Sequence, residues 1–271
     1  MYSSFQLAIK YFRYWLTASN RKGHGVHSPF VFEFITEVLN DNRGYYCYST
    51  IEKLRQQLKN DKTEIVLDDF GAGSRIHSAH KRRVCDIAKT SLKSKKFARL
   101  FFRIINFYFS GSLVKDATIL ELGTSLGTTT AYLASANRNY KVVTMEGAKA
   151  VAEIAKKNFQ RLELSNIELI EGNFDSVLIQ ILNQLPTIDF AFIDGNHHKE
   201  PTISYFKEIV AKTSEHSILV FDDIHWSREM EEAWEYIKHH TSVTLSIDLF
   251  FIGIVFFRKE QRVKQHFTIR F

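Results

Sequence analysis

Cysteine is almost absent from this sequence. Cys47 and Cys85 are the only two among 271 residues, and their separation suggests neither a disulfide framework nor a zinc ligand set. No apolar run approaches the roughly 18 residues of a membrane-spanning helix, and the N-terminus shows no signal-peptide pattern. These absences exclude a disulfide scaffold and a membrane span, and they make a reducing cytoplasm the expected location. Acids are scarce in one part only. Residues 1–115 hold 20 Lys and Arg against 9 Asp and Glu, whereas residues 116–271 hold 16 against 21. The net charge of +6 therefore conceals a basic first part and an acidic second part, a contrast that bears on partners rather than on fold. At 45% hydrophobic residues, the chain can bury a sizeable core.

The basic part reads as mainly helical. Phe5, Ala8, Ile9, Phe12, Trp15 and Leu16 recur every three or four residues, with Lys10 and Arg13 between them, which predicts an amphipathic helix over 3–18. Its apolar stripe is expected to pack on its own domain or on a second copy in a homodimer, with a membrane surface as the other reading. Two glycines and Pro29 interrupt the pattern, and His24 and His27 in that connection read as turn or capping residues. A second helix follows over Phe30–Leu39, with Ser28 as N-cap and Pro29 at its first position. The run Asp69-Phe-Gly-Ala-Gly-Ser74 imitates a nucleotide loop. A basic helical run follows it at Lys81–Lys96, so it is expected to be a glycine-rich loop between helices. From Arg75 to Arg103 there are ten Lys and Arg and a single acid, Asp86. Such a run suits RNA phosphates, but Val84, Ile87, Ala88, Leu92, Phe97, Leu100, Phe101 and Ile104 supply an inward stripe. A solvated helix face is the favoured reading.

The second part alternates buried strands with helices. The stretch Ile119-Leu-Glu-Leu-Gly-Thr-Ser-Leu-Gly-Thr-Thr-Thr130 reads as a strand, a glycine turn and a helix N-terminus, a combination suited to a nucleotide-like ligand. Lys141–Glu146 is a second strand ending in an acid placed 25 residues after Glu121, near the spacing of a ribose-binding carboxylate. Asn166–Phe174 is a third strand and turn. Ile188–Asp194 and Ser217–Asp223 are the fourth and fifth, ending in Asp194 and in Asp222-Asp223. The runs Ser242–Ile247 and Phe250–Phe257 are joined by too few residues for a crossover helix, so they must be antiparallel. The expected fold is α/β, a Rossmann-like doubly wound sheet of seven strands with a terminal antiparallel hairpin and an N-terminal helical extension. The expected boundaries are 1–115 for the extension or substrate lid, 116–260 for the ligand-binding domain and 261–271 for a tail. Three carboxylates at strand ends would repel one another, and a hard cation such as Mg²⁺ resolves that repulsion.

The spacing Glu-x-Gly-x-x-x-Gly departs from a dinucleotide fingerprint. It resembles motif I of the class I S-adenosylmethionine (SAM) methyltransferases, above all the Glu-x-Gly-Thr-x-x-Gly form of catechol-type O-methyltransferases. The resemblance covers roughly residues 117–257. It implies that SAM lies against Glu121, Gly123, Thr124, Ser125, Gly127, Thr128, Glu146, Gly147, Asn173, Phe174 and Asp194, with Glu146 on the ribose and Asn173 beside the adenine. Metal-dependent members of that group, sugar O-methyltransferases included, place one Asp after the fourth strand and an acidic pair after the fifth. Asp194, Asp222 and Asp223 match those positions as metal ligands. The same enzymes set a proton acceptor three residues after the first Asp, which here is His197, with His198 and His225 as competitors. The resemblance implies methyl transfer to a small-molecule hydroxyl with Mg²⁺ assistance. An RNA methyltransferase using the basic segment and a non-catalytic SAM-binding protein are the alternatives. The Pro-Pro signature of many enzymes that methylate exocyclic amines is missing after Asp194.

Overall fold

A computed structural model describes residues 1–19, 22–23, 26–67, 80–109 and 116–271. His24 and the Asp69–Ser74 run lie outside the described residues. The chain begins with α1 (Ser4–Thr17), opened by a capping box in which Ser3 accepts from the Gln6 amide and Gln6 accepts from the Ser3 amide. Next is α2 (Pro29–Glu33), whose Ser28 hydroxyl accepts from the Val31 amide, as expected. It runs on as a π-helical turn over Phe34–Leu39. Then come α3 (Tyr48–Asn60), β1 (Glu64–Leu67), β2 (His80–Arg83), α4 (Val84–Ser91) and α5 (Lys95–Phe109).

The second part supplies β3 (Thr118–Leu122), α6 (Thr128–Ala136), β4 (Lys141–Glu146), α7 (Lys149–Arg161), β5 (Ile167–Glu171) and α8 (Phe174–Gln184). It continues with β6 (Ile188–Ile193), α9 (Lys199–Val210), β7 (Thr213–Asp222) and α10 (Arg228–His239), and closes with β8 (Leu245–Asp248), β9 (Ile252–Phe256) and β10 (Gln265–Thr268). Helix α9 begins at Lys199, two residues before Pro201. Pro201 falls in its first turn, where no helical N–H bond is lost.

Two compact units divide the chain, Asn42–Val177 and the combination of Met1–Asp41 with Leu178–Phe271. In the first, β3 pairs parallel with β4 and β4 parallel with β5. In the second, β6 and β7 are parallel, β7 and β9 antiparallel, β8 and β9 antiparallel, and β10 runs parallel to β8. The strands β3 to β10 are those of a mixed, Rossmann-like sheet of eight with flanking helices. The seven expected strands are present and the terminal hairpin is antiparallel. The eighth, β10, comes from residues read as a tail: Gln-His-Phe-Thr alternates between half-buried and exposed and carries too little apolar signal to stand out.

Two expectations need correction. The glycine-rich run is flanked not by helices but by strands, since β1 and β2 pair antiparallel from Glu64↔Arg83 to Leu67↔His80. The basic residues Lys81, Arg82 and Arg83 are strand residues held by that pairing, and the helix starts only at Val84. Beyond them, Val84, Ile87, Ala88, Phe97, Leu100, Phe101 and Ile104 are buried, as the solvated-face reading requires. The second correction concerns α1. Its inward face is Leu7, Lys10, Tyr14 and Ala18, while Phe5, Ile9, Phe12, Trp15 and Leu16 all point to solvent. Specific polar contacts, together with the packing of Tyr14 and Ala18 on Phe250, hold that orientation. Tyr2 and Lys10 both reach Glu231, at 2.7 and 2.9 Å, and the Tyr14 hydroxyl donates to the Ile269 carbonyl beside Phe250.

Candidate active site

The glycine loop between β3 and α6 is built from the unit Asn42–Val177. Glu121 is fully buried, and its Oε2 accepts from the hydroxyls of Thr130 and Thr144 at 2.5 and 2.6 Å. Thr144 also meets the Thr124 hydroxyl at 2.6 Å, so one relay of side chains ties the strand, the loop and the helix together. Burial pushes the Glu121 carboxyl up to about 8; the two threonine hydroxyls pull it down and the nearby Glu146 charge adds to the rise. It therefore holds its proton at neutral pH. Through these bonds Glu121 braces the backbone of the loop.

The loop backbone is as closely specified. Gly123 and Thr124 donate their amides to the Met145 carbonyl, and Gly123, Ser125 and Gly127 all have positive φ. A Cβ on Gly127 would lie 2.5 Å from the Phe159 ring, so glycine is required there both for conformation and for space. Asn158 donates to the Leu126 carbonyl at 2.9 Å. Gly127 caps α6 without a side-chain hydrogen bond, leaving the first-turn N–H groups, beginning at Thr128, directed out of the helix end. The Ser125 and Thr128 hydroxyls are buried and have no partner among the described residues.

Glu146 ends β4 as expected. Its Oε2 accepts from the Ser125 amide at 2.8 Å and its Oε1 from the Ala148 amide at 2.9 Å. Burial raises its pKa, partly offset by the amides of Ala148, Ser125 and Gly147. A carboxylate has about four acceptor sites, so these three amides do not exhaust it. Around Gly147 a Cβ would meet nothing within 4 Å, which marks open space. Asn173 is exposed and its Oδ1 accepts from the Asp175 amide, starting α8 at Phe174. Thr130, Thr144 and Asn158 were not anticipated as part of this loop. The one signal for them was a threonine inside the otherwise apolar run Lys141-Val-Val-Thr-Met-Glu146.

The other unit gathers a second set of side chains. Asp194 follows β6 and Asp222 ends β7, and together with His197 they place one ligand atom each within 4.8 Å of one another. His197 Nε2 lies 3.5 Å from Asp194 Oδ1. The turn that brings His197 back to Asp194 has positive φ at Asn196 and at His197, and Asn196 donates to the Tyr205 hydroxyl at 3.1 Å. Asp223 is not in the group. Successive strand residues point to opposite faces, and Asp223 leaves the strand at positive φ with its amide on the Phe251 carbonyl.

The competing histidines are engaged elsewhere. His198 is exposed and lies 3.1 Å from Glu229. His225 lies between Glu231 and Asp248, at 3.0 and 2.8 Å, and stacks on Phe250. Burial pulls its pKa down, but the hydrogen bonds and charges of Asp248 and Glu231 outweigh this and the net shift is upward.

Residues 120–224 match the sequence profile of a family described as a methyltransferase domain, and that span holds both the loop and the acid–histidine group. The chain thus carries a methyltransferase domain over residues 120–224. Among curated proteins, this methyltransferase is 29% identical over 157 residues to an uncharacterised protein of Acanthamoeba polyphaga mimivirus, covering 52% of this chain and 70% of that one. It is 32% identical over 95 residues to a tRNA (guanine-N(7)-)-methyltransferase of Mycoplasma mobile, covering 34% of this chain and 47% of that enzyme. Among solved structures, an O-methyltransferase from Bacillus cereus in complex with SAH aligns over 84% of this chain and 97% of its own, with TM-score 0.54 and 19% identity, a likeness of fold. Among the described residues, no helix is long and apolar enough to cross a membrane.

Proposed function

We propose that this methyltransferase moves the methyl group of SAM onto a hydroxyl oxygen of a small molecule, aided by a divalent cation. The observation that carries this reading is the meeting of Asp194, His197 and Asp222 within 4.8 Å at the C-terminal ends of two parallel strands, the edge where open α/β sheets bind ligands. The donor set fits a cation. Octahedral ligands about 2.1 Å from Mg²⁺ spread over roughly 3 to 4 Å, slightly tighter than this group. Two carboxylates favour Mg²⁺, and a third ligand from imidazole would favour Mn²⁺ or a later metal. Bound there, the cation would acidify the acceptor hydroxyl.

The remaining work falls to the chain itself. The loop Gly123–Thr128 and Glu146 hold SAM, the buried hydroxyls of Ser125 and Thr128 gaining partners they otherwise lack. Glu146 takes the ribose and Asn173 the adenine edge. Asp194 and Asp222 position the acceptor, and His197 accepts its proton as the oxygen attacks the methyl. Alignment accounts for most of the rate, because the sulfonium is already reactive. Titrating the protein with SAM by calorimetry tests the cofactor. Labelled-methyl transfer to a panel of catechols, flavonoids and sugars, with and without chelator, tests the acceptor and cation; equal transfer in chelator removes the cation.

A second reading, methylation of RNA, draws on the tRNA-methyltransferase similarity and on the exposed Lys81, Arg82, Arg83 and Lys89. A salt-dependent gel shift with tRNA would favour it.

A further inference from the structure

The outward face of α1 is the most apolar surface the mechanism leaves unused. Phe5 is 75% exposed, Phe12 60%, Leu16 55%, Trp15 49% and Ile9 40%. Their positions, 5, 9, 12, 15 and 16, fall on one side of the helix, opposite the Leu7–Lys10–Tyr14–Ala18 face that holds α1 in place. These side chains expose on the order of 600 Å² of apolar surface, at the upper end of what monomers tolerate in one patch. Within the helix itself the charge has one sign, while the acid Glu231 meets Lys10 on the opposite face. No Asp or Glu occurs before Glu33, Arg13 borders the stripe, and the Arg270 guanidinium lies 4.7 Å over the Trp15 ring.

We propose that this face of α1 docks on an anionic lipid surface, the helix lying in the plane of the interface. Three observations favour lipid over a second copy of the chain. First, α1 is 14 residues, about 21 Å, long, and two such helices crossing would by themselves bury well under the roughly 800 Å² per partner of a standard interface. Second, a homodimer across this stripe would bring basic borders together, whereas anionic headgroups complement them. Third, the residue types match an interfacial helix, with aromatic and aliphatic side chains on one face, a cation at its edge and a tryptophan capped by arginine. The protein would thus sit at a membrane without a span, whichever acceptor its methyltransferase site uses.

The test uses the full chain and vesicles of equal parts phosphatidylglycerol and phosphatidylcholine, with pure phosphatidylcholine as the control. Co-sedimentation with the anionic vesicles is expected, weakening several-fold in high salt and with Arg13→Glu. The double variant Phe5→Ser, Phe12→Ser should partition about tenfold less or worse, with an unchanged circular dichroism spectrum and unchanged SAM titration. These two residues point to solvent, so the fold does not depend on them. No binding to anionic vesicles, or equal binding by the double variant, overturns the proposal. A dimer in sedimentation equilibrium that this variant dissolves overturns it too, assigning the face to a second copy.

Discussion

Two pairs of carboxylates close strands in this protein, and they are treated in opposite ways. Glu121 and Glu146 are occupied by groups of their own unit: two threonine hydroxyls on one, the amides of Ser125 and Ala148 on the other. Those bonds fix a backbone shape. Asp194 and Asp222 are brought instead toward each other and toward an imidazole, an arrangement that places like charges at close quarters. Positive φ at Asn196, His197 and Asp223 shows that the local backbone departs from its favoured conformations to make it. A shape-making site and a charge-gathering site should answer differently to substitution, and that difference can be measured.

The largest effect is expected at the charge-gathering pair. Asp222→Ala should lower methyl transfer roughly a thousandfold, in line with the several kcal/mol that a bound cation contributes, while the SAM affinity read by calorimetry stays within about twofold; Asp194→Ala should lower transfer as much. Loss of SAM binding in Asp222→Ala would mean the two sites are not separable in this way. His197→Ala should cost about a hundredfold in kcat as the loss of a general base. If His197 is a ligand rather than a base, the metal dependence of the rate shifts and its pH dependence does not.

Next comes the loop. Gly127→Ala puts a Cβ 2.5 Å from Phe159 at a φ of +80°, so it should destabilise the fold by about 1–3 kcal/mol and weaken SAM binding. Thermal melting with and without SAM reads both quantities. A variant that melts normally and binds normally would show that the loop adapts and is not preformed.

Glu121 gives a subtler test. Its folded pKa is raised from 4.5 to about 8, so the folded chain binds that proton more tightly than the unfolded chain. The resulting stabilisation is whole below about 4.5, shrinks as pH rises, and is gone once pH passes about 8. The wild-type melting temperature should therefore fall between about pH 6 and about pH 9 by several degrees. In Glu121→Gln, which keeps an acceptor for Thr130 and Thr144, that fall should flatten. Parallel curves for the two proteins would show that the carboxyl is ionised in place.

The same contrast explains what the sequence made legible. Glu146 at the end of an apolar run, the two glycines and the short joint after β8 are local signals, each enforced by backbone sterics within a few residues, and they marked the strand ends and the sheet type. Thr130 and Thr144 were not legible as the brace on Glu121, because a threonine in a buried strand looks like any β-branched filler until its neighbour is known. Asp223 and Asp222 were indistinguishable in sequence; the pleat of β7 and the turn after it separate them. The orientation of α1 was misread for a related reason. Amphipathic periodicity identifies a helix and an apolar stripe, but partners far away in sequence, Glu231 and Ile269, decide which side faces in.

The smallest effect is expected one residue from the largest group. His198 and His197 are adjacent in sequence and equivalent in type, yet His198 is 64% exposed at its side chain and paired with Glu229, outside the Asp194–Asp222 group. Exposed pairs of this kind contribute little because solvent screens them, and among the described residues the Asp194–His197–Asp222 group does not include it. His198→Ala should therefore change kcat and KM by less than about twofold and leave the metal dependence untouched. Should His198→Ala lose activity while His197→Ala keeps it, the turn must rearrange when the acceptor binds, exchanging one imidazole for the other. The positive φ at Asn196 and His197 would then belong to a resting conformation of the turn and not to the one that carries out the transfer.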